Sequence, residues 1–186
     1  MTKRGVFCIE GEWNSNLRDR GSVQPLVEFL AAADSQLPPI FRRAATEDEL
    51  MYFIKKWRQY KRYTIGYFPF HGEKGALKLG RKTVALDDFG AWLEGACKGR
   101  DILISSCRTF DISQSAIAEF RRRTQARSVA GYRKSPDWIE SAALDVMVMT
   151  NLSYFDSPSR TYQWVRKYCG KLADRYGFIM DFRRRG

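Results

Sequence analysis

The sequence predicts one α/β domain, a three-layer sandwich of about six mostly parallel strands with helices on both faces. Three observations predict it. Short runs rich in β-formers alternate with stretches of helical spacing along the whole chain. Several of those runs are apolar throughout rather than at alternate positions, as in strands covered on both faces. The 186 residues, 44% hydrophobic, suffice for one core, and no repeat or low-complexity linker divides them.

Gly5 to Glu10 reads as the first strand, followed by the polar loop Gly11-Glu12-Trp13-Asn14. Ser22 precedes Val23, Leu26, Val27, Phe29 and Leu30 at helical spacing, Pro25 fits a first turn, and Leu37-Pro38-Pro39 stops the helix. Ile40 to Arg43 is a shorter, more polar strand suited to a sheet edge. Thr46 to Glu49 has the capping-box pattern, and Leu50, Phe53, Ile54 and Trp57 share one face of a helix reaching Tyr60. Tyr63 to Phe70 is a nearly continuous apolar strand that ends at His71-Gly72. Two runs, 76–79 and 83–86, form a hairpin around Gly80-Arg81-Lys82. Asp87 or Asp88 is expected to cap a helix that carries Phe89, Trp92, Leu93 and Ala96 inward. Asp101 to Ser106 is the next apolar strand, and it delivers Cys107. A helix over 113–124, a strand over 128–132 and a long helix from about Pro136 through Met149 follow. One helix from Ser159 to Arg175, striped by Tyr162, Val165, Tyr168 and Leu172, and a last strand over 177–182 complete the alternation.

A net charge of +11 favours attraction to anionic surfaces, which keeps a nucleic-acid reading open. Much of the excess sits in Arg121 to Arg123 and Arg183 to Arg185, which read as a solvated helix face and a tail. The four cysteines, Cys8, Cys97, Cys107 and Cys169, have no C-x-x-C spacing, so neither a disulfide framework nor a zinc ribbon is suggested. With a single histidine, no metal or other cofactor is expected. No apolar run reaches eighteen residues, and Met1-Thr2-Lys3-Arg4 leads into only a short one. A cytoplasmic protein that does not enter a membrane is therefore expected.

The lone histidine, His71, and Cys107 each follow directly on a buried strand, 36 positions apart. A hairpin and one helix between them suffice for a right-handed crossover, which sets both carboxyl ends on one sheet edge, where α/β sheets bind ligands. If the two strands are neighbours, the side chains leave ends about 4.8 Å apart and face one gap. A thiol near pKa 8.5 and an imidazole near 6.5 suit acyl transfer near neutral pH, with Cys107 as nucleophile and His71 as the acid for the leaving amine. The N–H groups of Gly72, with no side chain in the way, and of Cys107, at a turn, are the expected oxyanion donors. Cys8, Cys97 and Cys169 read as structural.

Phe68-Pro69-Phe70-His71-Gly72, Ile102-Leu103-Ile104-Ser105-Ser106-Cys107 and Val129-Ala130-Gly131-Tyr132 with Asp137-Trp138 behind it carry a resemblance. At these residues the chain resembles the caspase-like cysteine peptidases, the clan of caspases, metacaspases, gingipains, separases and CHAT peptidases, and most of all the small bacterial CHAT-like members. The resemblance implies a caspase-hemoglobinase fold, a protein or peptide substrate and the same roles for His71, Gly72 and Cys107. It also implies a histidine that need not touch the thiol at rest, and an activating or sensor partner. The family's pocket for the residue before the cut would fall on the Glu10 to Trp13 segment, Ser105, and Tyr132 to Lys134. Glu10 and Glu12 point to a basic residue there, Arg133 and Lys134 to an acidic one, and the sequence leaves both open. A long acidic inter-subunit linker is lacking, so activation by cleavage into two subunits is not implied.

Two other readings stand beside the peptidase. One is a catalytically silent caspase-like module that binds a partner protein. The other is a basic nucleic-acid-binding domain using Trp57-Arg58 and Tyr60-Lys61-Arg62, although those aromatics fit a core better than stacking on bases.

Overall fold

Strands that are apolar throughout form the middle of the sheet. The computed structural model describes residues 4–16, 18–33 and 37–183. The first half of the chain gives β1 (Val6–Gly11), α1 (Gln24–Ala33), β2 (Pro39–Ala44), α2 (Glu47–Gln59) and β3 (Ile65–Pro69). A small antiparallel sheet follows, β4 (His71–Glu73), β5 (Ala76–Leu79) and β6 (Lys82–Ala85), and then α3 (Leu86–Leu93) and β7 (Asp101–Ser105). The rest is α4 (Gln114–Thr124), β8 (Ser128–Tyr132), α5 (Trp138–Phe155), α6 (Pro158–Tyr168), α7 (Gly170–Tyr176) and β9 (Phe178–Phe182).

The six main strands order β2-β1-β3-β7-β8-β9, parallel except for the antiparallel β8–β9 pair. The polar strand β2 stands at an edge, as its composition predicts. Side chains alternate between two cores. Phe7, Ile9, Phe68, Ile102, Ile104 and Val129 face α2, α3 and α4 on one side. Val6, Cys8, Ile65, Tyr67, Leu103 and Tyr132 face α1, α5, α6 and α7 on the other. These are the three layers expected. Each fully buried large side chain contributes about 1.5–3 kcal/mol of burial.

Three local expectations give way. The helix after the hairpin starts one position before Asp87, with Ala85 as a cap that makes no side-chain bond. The Asp87 carboxylate is instead taken by Arg123 on α4 at 2.7 Å, a partner 36 positions away. The helix expected over 159–175 is two helices, broken at Cys169 (φ −120°, ψ 16°) before Gly170. After the break α7 buries Ala173 and Tyr176, and Tyr168, the last residue of α6, is exposed. The strand expected to end at His71-Gly72 stops at Pro69, and those two residues begin β4, which turns the expected two-stranded hairpin into three strands. The expectations for Met1 to Lys3 and for Arg184 and Arg185 fall outside the described residues.

Candidate active site

β3 and β7 are parallel neighbours with Pro69 opposite Ser105, and the Phe70 N–H donates to the Ser105 carbonyl at 3.1 Å. His71 and Cys107 therefore leave adjacent carboxyl ends, which is the condition the sequence sets for their meeting. Gly72 then packs against the turn after β7. A Cβ on it would lie 2.6 Å from the Cys107 carbonyl oxygen and 2.6 Å from Thr109 Oγ1, so only glycine fits. Thr109 donates its proton to the Ala76 carbonyl on β5 at 3.1 Å, which makes Ser106 the donor to Thr109 Oγ1 at 2.5 Å. Arg108, directly after Cys107, has φ 56°, a left-handed conformation that costs an arginine energy. Its N–H donates to the Lys134 carbonyl at 3.1 Å, so the Cys107 turn is anchored from β5 on one side and from beyond β8 on the other.

The His71 ring is oriented by a residue outside the pair. Its Nε2 lies 2.8 Å from the Trp13 carbonyl oxygen. A carbonyl only accepts, so Nε2 carries the proton and the neutral ring keeps its lone pair on Nδ1. The Trp13 ring meets His71 edge-on at 5.0 Å and Trp138 of α5 edge-on at 4.5 Å. Trp13 is held in turn by Glu10 Oε1, which accepts its indole N–H at 2.7 Å. The Glu10 side chain is wholly buried and also accepts from Ser22 Oγ (2.8 Å), the Val23 N–H (2.6 Å) and Arg43 (2.9 Å). With its oxygens so occupied, Glu10 bears on the site through Trp13 rather than by contact.

The two side chains open onto one pocket of about 150 Å³, lined also by Trp13, Trp138, Ser105 and Asp145. Asp145, on α5, is the residue that sequence reasoning missed. It is fully buried, and its carboxylate accepts from Tyr132 at 2.6 Å, from Tyr67 at 2.9 Å and from the Ser105 hydroxyl. Burial pushes its pKa up to about 6 against the lowering effect of those three donors. Burial, and then the adjacent carboxylate, pushes both phenols well above their ordinary value, so they remain donors. The one sequence signal was an acid embedded among Leu144, Val146, Val148 and Met149.

Other expected pocket residues are placed elsewhere. Tyr132 is buried beneath the pocket with its hydroxyl on Asp145. Glu12, half-buried after β1, does not line the pocket. Arg133 points toward the start of α4, donating to the Ile112 carbonyl (2.6 Å) and Gln114 (3.1 Å), and Lys134 reaches the Asp174 carbonyl. Among the other cysteines, burial pushes the Cys97 thiol up to about 12, the Cys8 thiol well above its ordinary value, and the Cys169 thiol up as well.

Arg121 pairs with Asp181 at 2.5 Å, Arg122 with Glu119, and Arg123 with Asp87. Trp57 is fully buried beneath the Arg100 guanidinium. Among the described residues, no cluster of three His, Cys, Asp or Glu is placed to hold a metal, and no helix is long and apolar enough to cross a membrane.

A family model described as a family of unknown function, DUF6642, matches residues 3–168. No curated protein matches the chain. Among solved structures, the chain is similar to one described as "structure of pro-sf-caspase-1", with a TM-score of 0.50 and 14% identity over 82% of this chain and 71% of that one. Caspase-1 from Spodoptera frugiperda is also similar, with a TM-score of 0.48 and 14% identity over 82% of this chain and 70% of that one. The first likeness shows a caspase-like fold, in agreement with the six-stranded, mainly parallel sheet.

Proposed function

The chain belongs to the DUF6642 family, of unknown function, and we propose that it is a cysteine peptidase of the small CHAT-like kind, acting in the cytoplasm on a protein or peptide substrate. The observation that carries this reading is the adjacency of β3 and β7, with His71 and Cys107 both lining one pocket. The Trp13 carbonyl supports it by supplying the third group that an acid–base histidine needs for its orientation. Four free cysteines suit a reducing compartment.

The chemistry divides as follows. His71 Nδ1 takes the Cys107 thiol proton, and the imidazolium is stabilised by the Nε2–H bond to the Trp13 carbonyl. The thiolate attacks the scissile carbonyl carbon, and the N–H groups of Gly72 and Cys107 receive the developing oxyanion. The C–N bond breaks as Nδ1–H protonates the leaving amine, and water then cleaves the thioester with His71 as base. An activating partner would act on the β4 to β6 sheet or on the Cys107 turn, because Thr109 and Gly72 couple the two.

A peptidyl acyloxymethyl ketone tests this. Labelling is expected at Cys107 alone, lost in Cys107→Ala and strongly slowed in His71→Ala. Equal labelling of Cys107 and Cys169, the two partly exposed cysteines, would sink the peptidase.

A further inference from the structure

The pocket beside Cys107 carries a charge that the acyl-transfer step does not use. Asp145 lies at its base, and among the described residues its hydrogen-bond partners are all neutral hydroxyls, from Tyr67, Tyr132 and Ser105. Each hydroxyl has a single proton. Tyr67 and Ser105, which line the pocket, commit theirs to the carboxylate. Two more lining hydroxyls are likewise committed, Ser141 to the Trp138 carbonyl at 3.1 Å and Ser106 to Thr109. Those hydroxyls can offer the pocket only acceptor lone pairs, backed by a buried acid. The walls above are the rings of Trp13 and Trp138, apolar surfaces that suit an aliphatic stem and attract a cation over their faces.

Resting on the peptidase reading of the same site, we infer that this pocket selects a cationic side chain, lysine or arginine, for the residue before the scissile bond, and that Asp145 is the specificity-determining residue. An ammonium or guanidinium brings only donors and a positive charge, which is what an all-acceptor base lacks. An acidic side chain would meet like charge at the base and no free hydroxyl proton. Arg133 and Lys134, the residues that pointed to an acidic substrate, do not line the pocket and reach other partners. Asp145 acts through its field and through the polarised Ser105 and Tyr67 hydroxyls, so it is a positioning element for the substrate and not a proton-transfer group.

Acyloxymethyl ketones that differ only in the residue before the warhead give the test. Lysine or arginine reagents are expected to label Cys107 at least about tenfold faster than their neutral counterparts, norleucine and citrulline, with the aspartate reagent slowest. The ranking of the two basic reagents shows which cation fits better. In Asp145→Asn the ratio of basic to neutral rates falls to about one, each rate being divided by that protein's own rate of alkylation with iodoacetamide. Equal rates for charged and neutral reagents, or a faster aspartate reagent, overturn the inference. Failure of the peptidase reading is separable: if no reagent labels Cys107, n-butylammonium and n-pentanol are titrated into Cys107→Ala and followed by tryptophan fluorescence. Saturable binding of the amine and not of the alcohol upholds the cation pocket even then; equal binding of the two, or none, overturns it. The measurements on the intact pocket do not depend on the Asp145→Asn protein folding.

Discussion

Two buried aspartates stand at opposite ends of the same sheet, and the molecule treats them differently. Asp101, at the amino end of β7, meets Arg4 at 2.6 Å, Arg127 Nε at 3.0 Å and the Ser128 hydroxyl at 2.7 Å. Arg4 reaches on to Thr64 and to the Leu152 carbonyl of α5, so that this charge is neutralised and ties strands to a helix. Asp145, near the carboxyl ends of β3, β7 and β8, has three neutral donors instead. A closed ion network holds an end of the sheet together. A buried carboxylate satisfied by hydroxyls but not neutralised keeps its field for whatever enters the pocket, at a cost to stability.

Exchange of each acid for its amide separates the two roles most sharply. Asp101→Asn leaves two arginines short of their buried counter-charge and is expected to cost about 3–5 kcal/mol in denaturant unfolding. Asp145→Asn removes a poorly compensated charge and is expected to cost less than about 1 kcal/mol at pH 7. Equal costs would erase the distinction.

The pH dependence follows from the same contrast and is nearly as large. Asp145 is pushed up to about 6 in the folded protein, against about 3.9 for an aspartate in an unfolded chain. Between those values the native state holds a proton that the unfolded chain has released. The group's stabilisation is therefore fully present below about pH 4 and is lost as pH rises through 6, a swing of about 3 kcal/mol. The groups facing it, Cys8, Tyr67 and Tyr132, have pKa values pushed well up and stay neutral in this window. Other carboxylates, such as Asp111 beside Arg108 and Asp174 beside Arg166, are lowered and slope the other way. The quantity to measure is thus the difference in unfolding free energy between wild type and Asp145→Asn from pH 4 to 7. A flat difference would remove the burial cost assigned to this acid.

Gly72→Ala strikes the carboxyl end without touching a charge. The new methyl meets the Cys107 carbonyl oxygen and Thr109 Oγ1 at 2.6 Å, so the Cys107 backbone or that of β4 must shift together with the Thr109 side chain. A loss of about 1–3 kcal/mol is expected, as for other overpacked sites. Cys107 labelling by a peptide reagent should fall more than its alkylation by iodoacetamide. An unchanged ratio between the two would mean that Gly72 matters only for packing.

Which of these features were legible in the sequence depends on how far apart their causes lie. The adjacency of β3 and β7 could be read because His71 and Cys107 each terminate an uninterrupted apolar run, and crossover geometry does the rest. The cap of α3 could not, since the Asp87 carboxylate is drawn off by Arg123 on another helix. The break at Cys169 was hidden because Val165 and Leu172 keep a helical spacing across it. Asp145 was least legible of all. Its environment is assembled from Tyr67, Ser105 and Tyr132 on three strands, and along α5 alone it is one polar residue interrupting an apolar stripe. Trp13 could be bracketed within the Glu10 to Trp13 segment, but its backbone oxygen as the partner of His71 has no sequence signature.

Arg133 supplies the smallest effect and the finest test of the contrast. It stands just beyond β8, close in sequence to the pocket, and carries the charge that would recruit an acidic substrate. Its guanidinium is instead bound to the Ile112 carbonyl and Gln114 at the start of α4. Arg133→Ala is therefore expected to cost no more than about 1 kcal/mol through those partly exposed hydrogen bonds, and to leave the ranking of basic, neutral and acidic reagents at Cys107 as it was. The effect is read from the ratio of labelling rates rather than from their absolute values, since loosening the loop before α4 slows all reagents alike. A selective rise in lysine or arginine labelling would mean that Arg133 repels cations at the pocket mouth, adding a second charge at the carboxyl end to the one proposed for Asp145.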